Sequence, residues 1–125
     1  MQTILVIEDE AAIRDNLARF LRAENYEVVT AENGVLGVAA ARERRPHLII
    51  CDIRMPEMDG YTVLATLRQD QATLRIPFIF LTASADRAER HLGLAQGADD
   101  YITKPFKLTE LLAAIKRRID AAGRD

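Results

Sequence analysis

At 125 residues the chain holds one domain with one core, and nineteen acidic against seventeen basic residues leave a formal charge of −2. That balance excludes a bulk field that would draw in nucleic acid, and the fourteen arginines among the bases are spread along the chain. A single cysteine excludes an internal disulfide, and no stretch approaches the ~18 apolar residues of a membrane span.

The first predicted strand, Ile4-Leu5-Val6-Ile7, stops on Glu8-Asp9. Ile13, Leu17, Phe20 and Leu21 then follow the spacing of one helix face, and Asp9 and Glu10 suit that helix's first turn electrostatically. Glu27 to Ala31 reads as a short strand. Asn33-Gly34 opens a second helix with Val35, Val38 and Ala39 expected inward, ending before Pro46. Leu48-Ile49-Ile50-Cys51 is a third strand that ends on Asp52, with Cys51 a small buried hydrophobe. A loop through Gly60 leads to a helix carrying Val63, Leu64 and Leu67.

Gln69 to Ile76 is a connection, and Pro77 sits at a strand start, where its missing N–H does least harm. Phe78-Ile79-Phe80-Leu81 stops on Thr82. Ser84 and Asp86 can cap a fourth helix running to about Gln96, interrupted by Gly93 and closed by Gly97. The fifth strand centres on Tyr101-Ile102 and stops on Lys104-Pro105, a candidate cis peptide. Leu108, Leu111, Leu112, Ile115 and Ile119 fall along one stripe of a last helix. His47 and His91 read as surface or packing residues.

Short apolar runs bounded by turn signals are what strands buried on both faces look like. Five β-α units predict an α/β fold: a flavodoxin-like, doubly wound (βα)5 domain over residues 1–125, with a five-stranded parallel sheet of order 2-1-3-4-5 and helices on both faces. Ligands of such sheets bind outside the carboxyl ends of the strands. That order makes the first and third strands neighbours, so Glu8, Asp9 and Asp52 are expected together, with Thr82 and Lys104 on the next two strands. At an effective dielectric of about 20, two unit charges 4 Å apart repel by ~4 kcal/mol. Three unrelieved acids therefore call for a hard cation, and carboxylate and carbonyl oxygens suit Mg²⁺. A carboxylate nucleophile, a metal and a lysine together suit phosphoryl transfer onto an aspartate.

The motifs converge at this point: Glu8-Asp9, Asp52 followed by Met55-Pro56, Asp59-Gly60, Thr82-Ala83, and Gly97-Ala98-Asp99-Asp100-Tyr101 leading into Lys104-Pro105-Phe106. In this combination the chain resembles the receiver domain of two-component response regulators over roughly residues 3 to 122. The resemblance implies that Asp52 accepts a phosphoryl group from a sensor histidine kinase or phosphotransfer protein. It implies Mg²⁺ bound by Asp9, Asp52 and the Arg54 backbone carbonyl, with Glu8 acting through metal-bound water. Lys104 would pair with the phosphoryl group, Thr82 would move toward it, and Tyr101 would be the switch aromatic that turns inward. Arg54 and Ser84 occupy positions that tune phosphoryl lifetime.

A cytoplasmic protein is expected, one that catalyses its own phosphorylation and autodephosphorylation and controls an output domain or effector through the face of the fourth helix, fifth strand and last helix. That face carries Arg87, Arg90, Asp99, Asp100, Glu110, Arg117 and Arg118, and offers a surface for a homodimer. No nucleic-acid or membrane binding is expected of the domain itself. Two alternatives stay open: an aspartyl-phosphate phosphatase or phosphotransferase, and a flavodoxin-like cofactor binder.

Overall fold

The computed structural model describes residues 1–83, 92 and 94–123. In chain order the elements are β1 (Thr3–Ile7), α1 (Ala11–Ala23), β2 (Glu27–Ala31), α2 (Gly34–Arg44), β3 (Leu48–Cys51), α3 (Gly60–Arg68), β4 (Phe78–Thr82), β5 (Asp100–Thr103) and the C-terminal helix α4 (Leu108–Ala122). Most of the fourth helix read from the sequence, with Ser84, Asp86, Arg87, Arg90, His91 and Gly93, lies outside the described residues. Among the described residues, no helix is long and apolar enough to cross a membrane.

All strand pairings are parallel and the order is β2-β1-β3-β4-β5, as expected. Because strand side chains alternate between faces, each strand feeds two cores. Ile4, Val6, Leu48, Ile50, Ile79 and Leu81 pack on one side with Leu17 and Leu21 of α1 and Leu111, Ile115 and Ile119 of α4. Leu5, Ile7, Ile49, Cys51, Phe78 and Phe80 pack on the other with Val38 of α2 and Val63, Leu64 and Leu67 of α3. Burial on both faces accounts for the uninterrupted apolar runs of β1, β3 and β4.

Side-chain pattern misplaces the buried face of α2. Val35 is 56% exposed and Ala39 is exposed, whereas Gly34, Gly37, Val38 and Ala41 face inward. Closeness of approach decides this, because a Cβ on Gly37 would sit inside the Ile7 side chain and one on Gly34 would meet Met58. Leu108, expected on the stripe of the last helix, is 46% exposed, and Ala114 takes an inward place instead. Helix α1 starts at Ala11 with Glu10 as its N-cap, so no acid lies in its first turn.

The turns follow their residue types. Asn33 Oδ1 accepts from Leu36 N at 2.8 Å and Asp59 Oδ1 from Thr62 N at 2.9 Å, capping α2 and α3. Gly97 has φ +107°, a conformation that favours glycine, and it precedes β5 as the sequence indicates. His47 Nδ1 accepts from Thr3 N at 2.9 Å, which ties the amino ends of β1 and β3.

Candidate functional site at the carboxyl ends of the strands

Register brings the acids together. Ile7 is level with Cys51, so Glu8 and Asp52 leave the sheet side by side, and Asp52 N donates to the Ile7 carbonyl at 3.0 Å. Oxygens from Glu8, Asp9 and Asp52 all lie within 4.8 Å of one another. Glu8 is 2% exposed and Asp52 7%, while Asp9 is half-buried. Just past β5 the Lys104 N–H donates to the Thr82 carbonyl at 2.7 Å, and the Lys104 ammonium reaches Glu8 Oε2 at 3.4 Å. The Lys104–Pro105 peptide is cis.

The electrostatics are those of a site short of positive charge. Burial, and then the Asp52 carboxylate, push the Glu8 carboxyl from its ordinary 4.5 up to about 7, against the pull of the Glu10 N–H and Lys104. Asp52 is also raised, mainly by burial and further by Asp9, with Lys104 and the Ile53 N–H opposing. That N–H donates to Asp52 Oδ1 at 2.8 Å. Among the described residues, the one ammonium paired with these three carboxyl groups is that of Lys104, which leaves an anionic hole lined by hard oxygen donors. The donor set fits a divalent cation such as Mg²⁺.

The other described residues singled out in the sequence lie on β4, β5, α4 and the loop after β3. Thr82 is buried at the end of β4, and Tyr101 is buried on β5, edge-on to Phe80 at 6.1 Å. Arg54 is exposed on the loop after β3, and Ser84 lies outside the described residues. Asp100 accepts from Arg117 at 2.9 Å and from Arg118 at 3.1 Å, so these charges of the β5–α4 face bond within one chain.

Arg14 was not singled out from the sequence. Arg14 Nη1 donates to the Glu8 carbonyl at 2.8 Å and approaches the Asp9 carbonyl at 3.5 Å. A cation at the fourth position of a helix that leaves an acidic strand end was the available signal. Gly60 lies so close to the strand end that a Cβ there would collide with the Asp52 carbonyl and the Ile53 Cα. This gives a physical reason for glycine after Asp59.

Comparison with known proteins agrees with this geometry. The family model for the response regulator receiver domain matches residues 4–116. The DNA-binding dual master transcriptional regulator RpaA of Synechocystis is 41% identical over 123 residues, covering 96% of this chain and 51% of that protein. The phosphate regulon transcriptional regulatory protein PhoB of Pseudomonas aeruginosa is 40% identical over 122 residues, covering 98% and 53%. The chain thus spans about half the length of these curated relatives.

Among solved structures, a CheY-like receiver domain protein from Methanospirillum hungatei superposes with a TM-score of 0.92 at 30% identity, covering 99% of this chain and 98% of the other. The receiver domain of the sensor histidine kinase PA1611 from Pseudomonas aeruginosa, with magnesium coordinated in its active-site cleft, gives a TM-score of 0.88 at 34% identity, covering 95% and 98%. The loop after β1 carries Glu8-Asp9-Glu10 where a flavin binder would need a phosphate cradle, and the phosphatase alternative gains no support either. Fold, strand-end chemistry and sequence matches agree, and the chain belongs to the response regulator receiver domain family of two-component signalling.

Proposed function

We propose that Asp52 is the phosphoacceptor of this receiver, taking a phosphoryl group from a sensor histidine kinase or phosphotransfer protein. The observation that carries the reading is the meeting of oxygens of the buried Glu8 and Asp52 and the half-buried Asp9 within 4.8 Å, with Lys104 alongside. Asp9, Asp52 and the Arg54 carbonyl would hold Mg²⁺, and Glu8 would act through its bound water. When bound, the ion supplies the positive charge that three carboxylates and an incoming phosphoryl group require. Lys104 then neutralises a phosphoryl oxygen, and the Thr82 hydroxyl donates to it.

The signal leaves through Thr82 and Tyr101. Phosphorylation adds charge and acceptor oxygens at Asp52, and contacts that Thr82 makes only with that group bias the arrangement of the face around β5 and α4. Tyr101, buried on β5, would be the switch aromatic of that change. Arg54 and Ser84 set how readily water reaches the phosphoryl group. An output domain or effector reads the face, in the cytoplasm. A homodimer through it would have to coexist with, or exchange, the Asp100 bonds to Arg117 and Arg118. Size-exclusion with and without beryllofluoride and Mg²⁺ reads that directly.

The test is incubation with acetyl phosphate with and without Mg²⁺, followed by intact-mass analysis. One adduct that needs Mg²⁺ and is absent from Asp52→Asn is expected. Undiminished labelling of Asp52→Asn overturns the assignment.

A further inference from the structure

We propose that Arg14 is a positioning residue for the acidic pocket, holding the Glu8–Asp9 backbone from α1 so that both carboxylates stay turned toward Asp52. The proposal rests on the Mg²⁺-dependent phosphoacceptor reading above.

The β1 ladder stops where the acids begin. Ile7 still gives its carbonyl to Asp52 N at 3.0 Å, and Glu8 N still donates to Ala31 at 3.1 Å. The Glu8 carbonyl is the first beyond the paired strand, where the chain bends out of the sheet toward α1. An unpaired carbonyl at a half-buried bend is costly, and its partner decides the direction of the following peptide. That partner is the Arg14 guanidinium at 2.8 Å, which also lies 3.5 Å from the next carbonyl, that of Asp9. One cationic donor therefore grips the two consecutive peptides that carry two of the three acids.

Arg14 is itself well placed to act as an anchor. Its N–H donates to the Glu10 carbonyl at 2.9 Å in the first turn of α1, and that helix is fixed to the sheet by Leu17, Ala18 and Leu21. Among the described residues its side-chain bonds run to backbone oxygens, whereas the carboxylate of Glu8 is paired by Lys104. The labour is divided: Lys104 meets the charge of the pair and Arg14 fixes its geometry. Partners that orient metal ligands without touching the metal matter in proportion, and losing one commonly costs 10–100-fold in metal affinity.

The experiment is calorimetric titration of Mg²⁺ into the full chain as wild type, Arg14→Gln and Arg14→Lys, with a thermal melt of each. Arg14→Gln is expected to bind Mg²⁺ about tenfold more weakly while remaining folded. Arg14→Lys, which keeps a cationic donor, is expected to recover part of that loss. Wild-type affinity in a folded Arg14→Gln overturns the proposal. Failure of both variants to fold also overturns it, by making Arg14 a fold element. A wild type that binds no Mg²⁺ sinks the underlying reading and the proposal with it, and is told apart because it needs no variant.

Discussion

At the amino ends of β4 and β5, the Arg68 guanidinium donates to the carbonyls of Leu74, Ile76 and Gly97 at 2.8 to 2.9 Å and lies 3.4 Å from Asp99. Asp99 in turn accepts from Phe78 N at 2.8 Å, where β4 begins. At the carboxyl ends of the same sheet, three carboxylates crowd together with one ammonium. Both regions remove charge from water, and both show it: burial lowers Arg68 and raises Glu8 and Asp52. The difference lies in completion. Arg68 finds carbonyl acceptors and an acid within the chain, so its charge binds three segments together. Among the described residues the three acids are paired by one ammonium, that of Lys104, which leaves charge for a cationic ligand to balance.

The largest effect that separates the two ends should come from Arg68→Ala. Removing this part-buried guanidinium leaves three carbonyl acceptors and Asp99 without their donor, at a cost of about 3 kcal/mol in urea unfolding. Labelling of the folded fraction by acetyl phosphate should survive, since Arg68 sits at the opposite end of the sheet. If Arg68→Ala abolished labelling with little loss of stability, the division between the ends would fail.

Gly60→Ala probes the other end. Its Cβ would displace the Asp52 carbonyl and Ile53, so a loss of about 1–3 kcal/mol is expected together with slower labelling. Wild-type rates and stability in that variant would show the loop to be looser than its packing implies.

A pH series gives a sign. The folded Glu8 carboxyl binds its proton more tightly than the unfolded one, with a value near 7 against 4.5. Its contribution to stability is therefore fully present below about 4.5 and is lost as pH rises toward and past 7. Raised Asp52 adds in the same direction. Melting temperature without metal should fall over that window, and saturating Mg²⁺ should remove the fall. A melting temperature that climbs steadily through the window in Mg²⁺-free buffer would contradict the stated charge balance. The smallest effect belongs to neither end: Glu27→Gln, breaking an exposed pair with Arg44, should cost less than about 1 kcal/mol.

The sheet and the acidic cluster were legible because they rest on patterns a chain cannot hide. β1, β3 and β4 are apolar on both faces, and strand order alone sets Glu8 beside Asp52. The inward face of α2 was not legible from apolar spacing, because glycines at 34 and 37 make contact through the backbone where hydrophobicity carries no signal. Arg14 and Arg68 escaped for a related reason. Their partners are mostly carbonyl oxygens, which every residue has, so no residue type elsewhere announces the contact. Asp59 as the cap of α3 was readable in principle, standing before Gly60 and the apolar run.

On this reading the three carboxylates form one charge-deficient site that a divalent cation completes. Carboxyl-selective NMR titration of Glu8, with and without Mg²⁺, tests it most directly. Glu8 should titrate near 7 in the absence of the ion and far below that value at saturation. A Glu8 that titrates near 4.5 under both conditions, or one that Mg²⁺ leaves unmoved, would contradict it.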